Sequence, residues 1–264
     1  MILDEIIANK KLEIAESKKK ISKESLKEKV LLNQRPAGSF YRALKNKKGM
    51  AVIAEIKKMS PSKGILREDF DPAALAKAFE EGGASALSVL TDAKYFGGSA
   101  EILTEVRRHT QLPILRKDFI LEEYQLLEAK AMGADAVLLI AAVLSAEEMA
   151  FLKKTAEALR LDVLIEVHSE EEFSKVLPLG PSLIGINHRD LKTFHVDMDV
   201  TARLSPRVPA DCLLVAESGI QTHEDLLKMQ TSGAKAVLVG EGLMKEKDVA
   251  AALQRLLGTS HGSR

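Results

Sequence analysis

Short apolar runs alternate with amphipathic segments along most of the chain. Four of these runs follow a glycine and read GGASALSVL (82–90), MGADAVLLI (132–140), LGPSLIGIN (179–187) and SGAKAVLVG (232–240). Four others alternate with them: AVIAEI (51–56), LPILRKD (112–118), DVLIEVH (162–168) and LLVAES (213–218). Because each run is almost continuously apolar, we expect parallel strands that are buried on both faces of a sheet.

Segments with helical spacing separate the predicted strands. Several end at a glycine that suits a helix C-terminus, as in PAALAKAFEEGG and EEYQLLEAKAMG. Their starts are also marked, because Asp71 precedes Pro72, and Ser145 and Glu148 have capping-box spacing. The predicted strands end near residues 55, 90, 117, 140, 166, 187, 217 and 240, about 26 residues apart, which is the length of a βα unit.

Eight such units favour a (β/α)8 TIM barrel. A doubly wound open sheet is built from the same units, and the pattern alone does not exclude it. We expect a single domain over residues 1–264, in which a barrel at 49–257 follows an N-terminal helical extension at 1–48 and precedes a polar tail at 258–264. The extension carries Leu3, Ile6 and Ile14 at helical spacing, so we expect it to pack on the barrel and help cover its site.

Composition narrows the class of protein. Of 264 residues, 46% are hydrophobic and 29% are charged, which fits a globular protein with a sizeable core. Formal net charge is zero, so no nucleic-acid partner is expected, although residues 1–50 hold 13 Lys and Arg against 6 Asp and Glu. The chain shows no signal peptide and no long apolar stretch, and its one cysteine, Cys212, excludes an internal disulfide. We therefore expect a cytoplasmic protein without a membrane partner, and a monomer.

Polar side chains gather where the predicted strands end. Glu55 and Lys57 follow the first strand, and because they are two residues apart they point to the same face. Further strand ends carry Lys117, Glu166, Asn187, Arg189, Glu217 and Ser218. A single lysine or glutamate there is usually a paired rim residue, but two lysines and two glutamates on one face of a barrel favour an active site.

Glycines after the last two predicted strands indicate a second kind of site. Gly219 follows AES, and Gly240 and Gly242 follow the eighth strand. Backbone N–H groups in such turns bind phosphate, and barrels often place a phosphate site there. The same glycines are also typical of tight βα turns without a ligand.

Other catalytic and metal-binding patterns are missing. The six histidines show no metal-ligand spacing, and we interpret His188 and His195 as surface residues. The sequence contains no G-x-S-x-G motif, so Ser218 is a poor candidate for a nucleophile.

Six motifs in order give the chain a close resemblance to the indole-3-glycerol phosphate synthase family. They are IAEIKKMSPSKG (53–64), LRKDFI (115–120), LIEVH (164–168), GINHRDL (185–191), VAESGI (215–220) and VGEGLM (239–244). The resemblance runs from about residue 2 to residue 256 and includes LTDAKYFGGS. It implies a barrel enzyme of tryptophan biosynthesis that closes the indole ring of carboxyphenylamino-deoxyribulose 5-phosphate with loss of carbon dioxide and water. It also implies a small-molecule substrate and neither a metal nor an organic cofactor.

The resemblance also assigns site residues. The implied catalytic residues are Lys117, Glu166, Lys57, Glu55, Asn187 and Ser218. Arg189 matches an arginine near the substrate carboxylate and sugar, and the phosphate cradle falls on Ser60, Gly219, Gly240 and Glu241. The apolar pocket for the anthranilate ring falls on Phe96, Phe119, Leu138 and Leu191.

The chemistry suggests a division of roles. Ring closure needs a proton donor at the substrate ketone, and Lys117 is the first candidate, although Lys57 could share or take that role. We expect Glu166 to act as the general base, held by Asn187, and Glu55 to orient Lys57 through an ion pair. Two alternatives remain: a class I aldolase with a Schiff base on Lys117, and a sugar-phosphate binding protein without catalysis.

Overall fold

A closed barrel of eight parallel strands forms the centre of the protein in the computed structural model, which describes residues 2–32, 35–190 and 195–259. The barrel strands are β1 (Ala51–Ile56), β2 (Ala86–Leu90), β3 (Ile114–Lys117), β4 (Ala136–Ile140), β5 (Asp162–Val167), β6 (Leu183–Asn187), β7 (Leu213–Glu217) and β8 (Ala236–Val239). Each strand pairs with its neighbour in sequence, and β1 pairs with β8 to close the barrel. The predicted TIM barrel is confirmed, and the open sheet is excluded because all eight strands have partners on both edges, which leaves no edge strand.

Helices surround the barrel and precede it. They are α1 (Ile2–Lys20), α2 (Lys23–Leu32), α3 (Ser39–Asn46), α4 (Pro72–Glu81), α5 (Ala93–Phe96), α6 (Ala100–His109), α7 (Glu123–Met132), α8 (Ala146–Ala158), α9 (Glu170–Val176), α10 (Asp199–Leu204), α11 (His223–Thr231), α12 (Glu241–Met244) and α13 (Val249–Leu257). Short 3₁₀ turns cover Leu177–Leu179 and Ser205–Arg207, and Met59–Ser60 pairs with Gly64–Ile65 in a hairpin after β1. None of the described helices is both long and apolar enough to span a membrane.

Local signals start and end the helices as the sequence predicts. Asp71 accepts hydrogen bonds from the backbone of the first turn of α4, and Ser145 forms a capping box with Glu148 at the start of α8. Gly133 ends α7 at φ +92°, a left-handed conformation that costs glycine little. These caps keep the connections between strands and helices short.

The alternation of side chains along each strand divides the core into two layers. In β1, Ala51 and Ile53 point into the barrel, whereas Val52 and Ala54 pack against the surrounding helices. Glu55 continues the inward series, because successive side chains point to opposite faces of a strand. The same rule carries the inward series of the other strands to the carboxyl end of the barrel, where their polar residues meet.

The N-terminal extension packs on both ends and the side of the barrel. Phe40 and Leu44 of α3 are fully buried and close the amino end of the barrel interior. Ile14 of α1 and Leu26 of α2 pack against α7, while Ile6 reaches the cavity at the carboxyl end. The described helices of the segment 1–48 thus contribute Ile6, Phe40 and Leu44 to the two ends of the barrel, while the boundaries expected for the extension stay a prediction. Most of the expected tail at 258–264 lies outside the described residues, as do 191–194.

Candidate active site

A cavity of about 680 Å³ opens at the carboxyl ends of the barrel strands. Its lining includes every predicted site residue that the structure describes: Glu55, Lys57, Ser60, Phe96, Lys117, Phe119, Leu138, Glu166, Asn187, Arg189, Ser218, Gly219, Gly240 and Glu241. Leu191, the remaining predicted pocket residue, lies outside the described residues. Ile2, Leu3 and Ile6 of α1 also line the cavity, so the extension covers one side of it.

Lys117 lies at the centre of a buried charge cluster. Its Nζ is 2.9 Å from Glu166 Oε2 and 2.6 Å from Glu217 Oε2. Both glutamates are almost fully buried, with Glu217 at 1% exposure. Buried carboxylates are tolerated when they are paired, and here one ammonium group serves both.

The cluster separates the pKa values of its members. Burial would lower the pKa of Lys117, but the surrounding glutamates raise it above its ordinary value, Glu166 and Glu217 most strongly. Burial raises the pKa of Glu217 to about 8 against the attraction of Lys117, and the negative charge of Glu166 adds to the increase. Burial also opposes ionisation of Glu166, yet Lys117 and His168 hold the pKa of that carboxyl well below its usual range. At neutral pH the cluster therefore holds a charged lysine, an ionised Glu166 and a largely protonated Glu217.

His168 extends the cluster outward from Glu166. Its Nε2 is 3.1 Å from Glu166 Oε1, and its Nδ1 is 3.4 Å from Glu172 Oε2. Burial opposes a charge on the imidazole, but the hydrogen bonds to both glutamates raise the pKa of His168 to about 10. His168 is thus a cation that keeps Glu166 ionised.

Glu55 and Lys57 form the expected ion pair beside this cluster. Lys57 Nζ is 2.6 Å from Glu55 Oε1, and the hydroxyl of Ser88 lies 3.4 Å from the other carboxylate oxygen. Burial opposes ionisation of Glu55, but Lys57 and Lys117 lower its pKa below the ordinary value. The orienting role of Glu55 stays a prediction, which this ion pair supports.

Asn187 binds a different partner from the expected one. Its Oδ1 accepts hydrogen bonds from Ser218 Oγ at 2.8 Å and from the backbone N–H of Arg189 at 3.0 Å. Lys117 and His168 contact Glu166 instead. Ser218 has φ +70°, a conformation that non-glycine residues adopt only at a cost, and such strain is concentrated at functional sites.

His188 is buried and binds the backbone of Ser218. Its interpretation as a surface residue is wrong. The imidazole is 2% exposed, with Nδ1 2.7 Å from the carbonyl oxygen of Ser218 and Nε2 2.7 Å from Thr201 Oγ1. Because a carbonyl only accepts, Nδ1 donates and Nε2 accepts from the hydroxyl, which satisfies a neutral ring. Burial accordingly lowers the pKa of His188. A histidine that follows a strand end in sequence can turn back under the barrel rim, and spacing alone does not show this.

The opposite side of the cavity has the properties of an anion site. Ser60 Oγ is buried and has no hydrogen-bond partner among the described residues. A Cβ at Gly240 would lie 2.5 Å from Glu55 Oε1, and Gly219 has φ +82°, so glycine is required at both positions. Arg189 Nη2 is 3.8 Å from Glu241 Oε2, and Lys245 Nζ is 2.6 Å from Glu241 Oε1.

Two aromatic rings form an apolar wall. The ring centroids of Phe96 and Phe119 are 6.2 Å apart at 40°, within the range of favourable tilted pairs. Leu138 is buried beside them in the barrel interior. The cavity therefore has three parts: the aromatic wall of Phe96 and Phe119, a central lysine between carboxylates, and a polar rim with glycines.

Sequence comparison identifies the family. A profile of indole-3-glycerol phosphate synthase matches residues 3–256. The chain belongs to the indole-3-glycerol phosphate synthase family. A curated indole-3-glycerol phosphate synthase of Campylobacter jejuni strain 81116 is 45% identical over 258 residues, which is 97% of this chain and 100% of that protein. The enzyme of the same name from Campylobacter jejuni strain RM1221 has the same identity and coverage.

Solved structures outside the family share the fold. Thiamine phosphate pyrophosphorylase from Pyrococcus furiosus superposes with a TM-score of 0.60 at 18% identity, covering 80% of this chain and 94% of that one. A mutant tryptophan synthase alpha-subunit from Pyrococcus furiosus also has a TM-score of 0.60, at 17% identity, covering 79% of this chain and 98% of that one. These likenesses support the barrel architecture of this synthase-family chain and no particular activity.

Sequence reasoning missed two members of the cluster in this synthase-family chain. The sequence places Glu217 at a strand end without assigning it to the site, and His168 occurs only within the motif LIEVH. The spacing held a signal for both: Glu217 precedes Ser218 on the same strand end, and His168 is two residues after Glu166, on the same face. Among the described residues, no group of three His, Cys, Asp or Glu side chains has the geometry of a metal site.

Proposed function

We propose that this chain catalyses the reaction of its family, the conversion of 1-(2-carboxyphenylamino)-1-deoxyribulose 5-phosphate to indole-3-glycerol phosphate. One carbon–carbon bond forms, and carbon dioxide and water leave, so the reaction is that of a decarboxylating lyase in tryptophan biosynthesis. The observation that carries the proposal is the position of Lys117, which lies between two buried glutamates in a cavity with an aromatic wall. Sequence identity of 45% to enzymes of that name supports it.

The two ends of the substrate fit the two ends of the cavity. The anthranilate ring packs against the wall of Phe96 and Phe119 and against Leu138, where apolar surface favours the ring over water. The phosphate binds at the glycines that follow β7 and β8, with the free hydroxyl of Ser60 as a donor. Arg189 attracts the anionic groups between these ends. Anchoring both ends brings the reacting carbons together, which is a large part of catalysis in ring closure.

Lys117 activates the ketone in the first step. The ring carbon that bears the carboxylate attacks the ketone carbon, and the ketone oxygen takes a proton as its electron pair moves onto it. A charged lysine stabilises that oxygen as it gains negative charge. Glu217, whose pKa is about 8, is largely protonated at neutral pH and returns a proton to Lys117. Carbon dioxide then leaves with cleavage of the carbon–carboxylate bond, and its electron pair restores the aromatic ring.

Dehydration completes the indole. Glu166 removes the proton from the carbon attached to nitrogen, which requires the ionised carboxylate that Lys117 and His168 maintain. The hydroxyl left by the ketone departs as water after it takes a proton from Lys57, which Glu55 holds in place. Asn187 and Ser218, joined by a hydrogen bond, orient the hydroxyl groups of the sugar.

A class I aldolase with a Schiff base on Lys117 fits the site less well. A Schiff base needs a neutral amine as nucleophile, and the glutamates around Lys117 raise its pKa and keep it charged. Borohydride added with substrate should therefore trap no adduct on Lys117. A trapped adduct, located by peptide mass spectrometry, would favour the aldolase.

The activity test follows product formation by indole fluorescence. Purified protein is mixed with the substrate in the presence of EDTA, which also tests the expectation that no metal is needed. Lys117→Ala and Glu166→Gln, shown to be folded by circular dichroism, should lose turnover by about 10²-fold or more. No product from the folded wild-type protein would reject the proposal, and wild-type rates in both variants would reject the assigned roles.

We further propose that the enzyme acts as a monomer in the cytoplasm without a nucleic-acid partner. All predicted site residues that the structure describes come from one chain and line one cavity. The substrate is a charged sugar phosphate that does not cross membranes unaided, so enzyme and precursor share a compartment. Light scattering at assay concentration measures the mass, and a dimer would contradict the monomer.

A further inference from the structure

One lysine of the N-terminal extension is buried against the barrel. Lys10 lies on α1, where Lys19 is 71% exposed, but the side chain of Lys10 is only 3% exposed. Its Nζ is 2.9 Å from Asp92 Oδ2 and 2.9 Å from Asp118 Oδ1, with Glu13 of the same helix at 2.5 Å. We call the contact of Lys10 with these two aspartates the Lys10 bridge.

Each aspartate of the Lys10 bridge fixes the backbone beside one ring of the aromatic wall. Asp92 caps α5, since its Oδ1 accepts from the backbone N–H of Tyr95, and α5 ends at Phe96. Asp118 Oδ1 accepts from the backbone N–H of Phe119 at 2.8 Å, and Asp118 directly follows Lys117. The two carboxylates thus hold the backbone segments that carry the rings of Phe96 and Phe119.

The two aspartates belong to separate loops, which follow β2 and β3. Each is almost fully buried, with Asp92 at 0% exposure and Asp118 at 3%. Arg116 and Thr91 contact Asp118 Oδ2. Among the described residues no group donates a hydrogen bond to Asp92 Oδ2, so the ion pair with Lys10 compensates its charge. Without Lys10 the buried carboxylate of Asp92 would lose its countercharge and face Asp118, which Arg116 neutralises only at Oδ2, so the two loops would lose their link and move apart.

We propose that Lys10 is a positioning residue for substrate recognition: its ammonium group joins the two loops and sets the spacing between Phe96 and Phe119. The two rings then form one apolar wall, 6.2 Å between centroids, against which the anthranilate ring of the substrate packs. The inference rests on the proposed function, because it names that ring as the occupant. The N-terminal extension thus helps to build the aromatic end of the site in addition to covering it.

Lys10→Met removes the charge and keeps the length of the stem. Lys19→Met on the same helix is the matched control, because it removes only an exposed ion pair with Glu16 at 2.6 Å. Three constants are measured at a temperature where each variant is folded by circular dichroism: the KM of the substrate, the Ki of anthranilate and the Ki of inorganic phosphate. Anthranilate probes the aromatic wall, and inorganic phosphate probes the glycine-rich end of the cavity.

A selective loss is the expected result. Lys10→Met should raise the KM and the anthranilate Ki about 10- to 100-fold, because a displacement near 1 Å has such effects, and should leave the phosphate Ki within twofold. Lys19→Met should match wild type in all three. In the double variant Lys10→Met/Asp92→Asn, the amide still accepts from Tyr95 and the repulsion is gone, so part of the anthranilate affinity should return.

Other outcomes overturn the inference. A lower Tm with unchanged constants would make Lys10 purely structural, and equal losses for anthranilate and phosphate would show a general disturbance of the site. If Lys10→Met does not fold, Lys10→Arg is measured in the same way; its longer side chain should still weaken anthranilate selectively, and no change would overturn the inference. Wild-type protein without turnover would reject the proposed function, which is a separate result from a variant that equals an active wild type.

Discussion

Replacing Lys117 by methionine tests the charge cluster through both activity and stability. Methionine keeps part of the stem and removes the ammonium group that lies 2.9 Å from Glu166 and 2.6 Å from Glu217. The loss of a positioned acid should reduce turnover by about 10²- to 10⁴-fold. Removal of one partner from a buried ion pair typically costs about 3–5 kcal/mol, because the remaining charge is left without compensation.

The size of that stability loss should depend on pH. In the wild type, the pKa of Glu166 is lowered by Lys117, so Glu166 stays ionised in the folded state near neutral pH. Without Lys117, burial raises the folded-state pKa of Glu166 towards and above its unfolded value, opposed only by the remaining attraction of His168. A carboxyl with a raised pKa binds its proton more tightly in the folded state, so stability falls as pH rises from the unfolded pKa towards the folded one. One such proton changes the free energy of unfolding by about 1.4 kcal/mol per pH unit.

The destabilisation should therefore be larger at pH 8 than at pH 6, by at most about 2.8 kcal/mol, the value for one proton over two pH units. Urea unfolding of wild type and variant at both pH values measures it. Lys175→Met is the control, because Lys175 Nζ contacts the carbonyl oxygens of Ala141 at 2.7 Å and Leu144 at 2.6 Å, neither of which titrates. Equal destabilisation by Lys117→Met at the two pH values, or turnover at the wild-type rate, would refute the reasoning.

Three further substitutions test neighbouring groups. Glu217→Gln keeps the shape of a carboxyl whose pKa is about 8, but the amide cannot return a proton to Lys117. The kcat should therefore fall about 10²-fold while circular dichroism shows an intact fold. Lost turnover together with lost helicity would indicate misfolding instead. His168→Asn removes the cation beside Glu166, so the pKa of that base should rise. The acidic limb of the pH profile of kcat/KM should then move to higher pH. A limb at the wild-type position would contradict the role of His168 in keeping Glu166 ionised. Gly240→Ala places a Cβ 2.5 Å from Glu55 Oε1, so it should displace the Glu55–Lys57 pair and lower kcat/KM about 10-fold or more, whereas wild-type kinetics would show that the loop yields freely.

The amino-acid sequence determined the architecture and most of the polar residues that line the cavity. Apolar runs at regular spacing and capped helices predict eight βα units, and these signals are local, so each can be read within a few residues. The two-residue alternation of strands also predicts that Glu55 and Lys57 share a face. Because all parallel strands end at the same rim, residues at their ends meet whatever their distance in sequence, which is why the described site residues line one cavity.

Only the tertiary structure decided which of these residues pair. Lys117 contacts Glu166 and Glu217 across the barrel, and Asn187 contacts Ser218, because closure sets which side chains reach the centre at hydrogen-bond distance. Lys10 has the same sequence pattern as the exposed lysines of α1 and is buried only because two distant loops place aspartates against it. Pairing depends on ångström-scale distances between elements far apart in the chain, and periodicity carries no information about such distances.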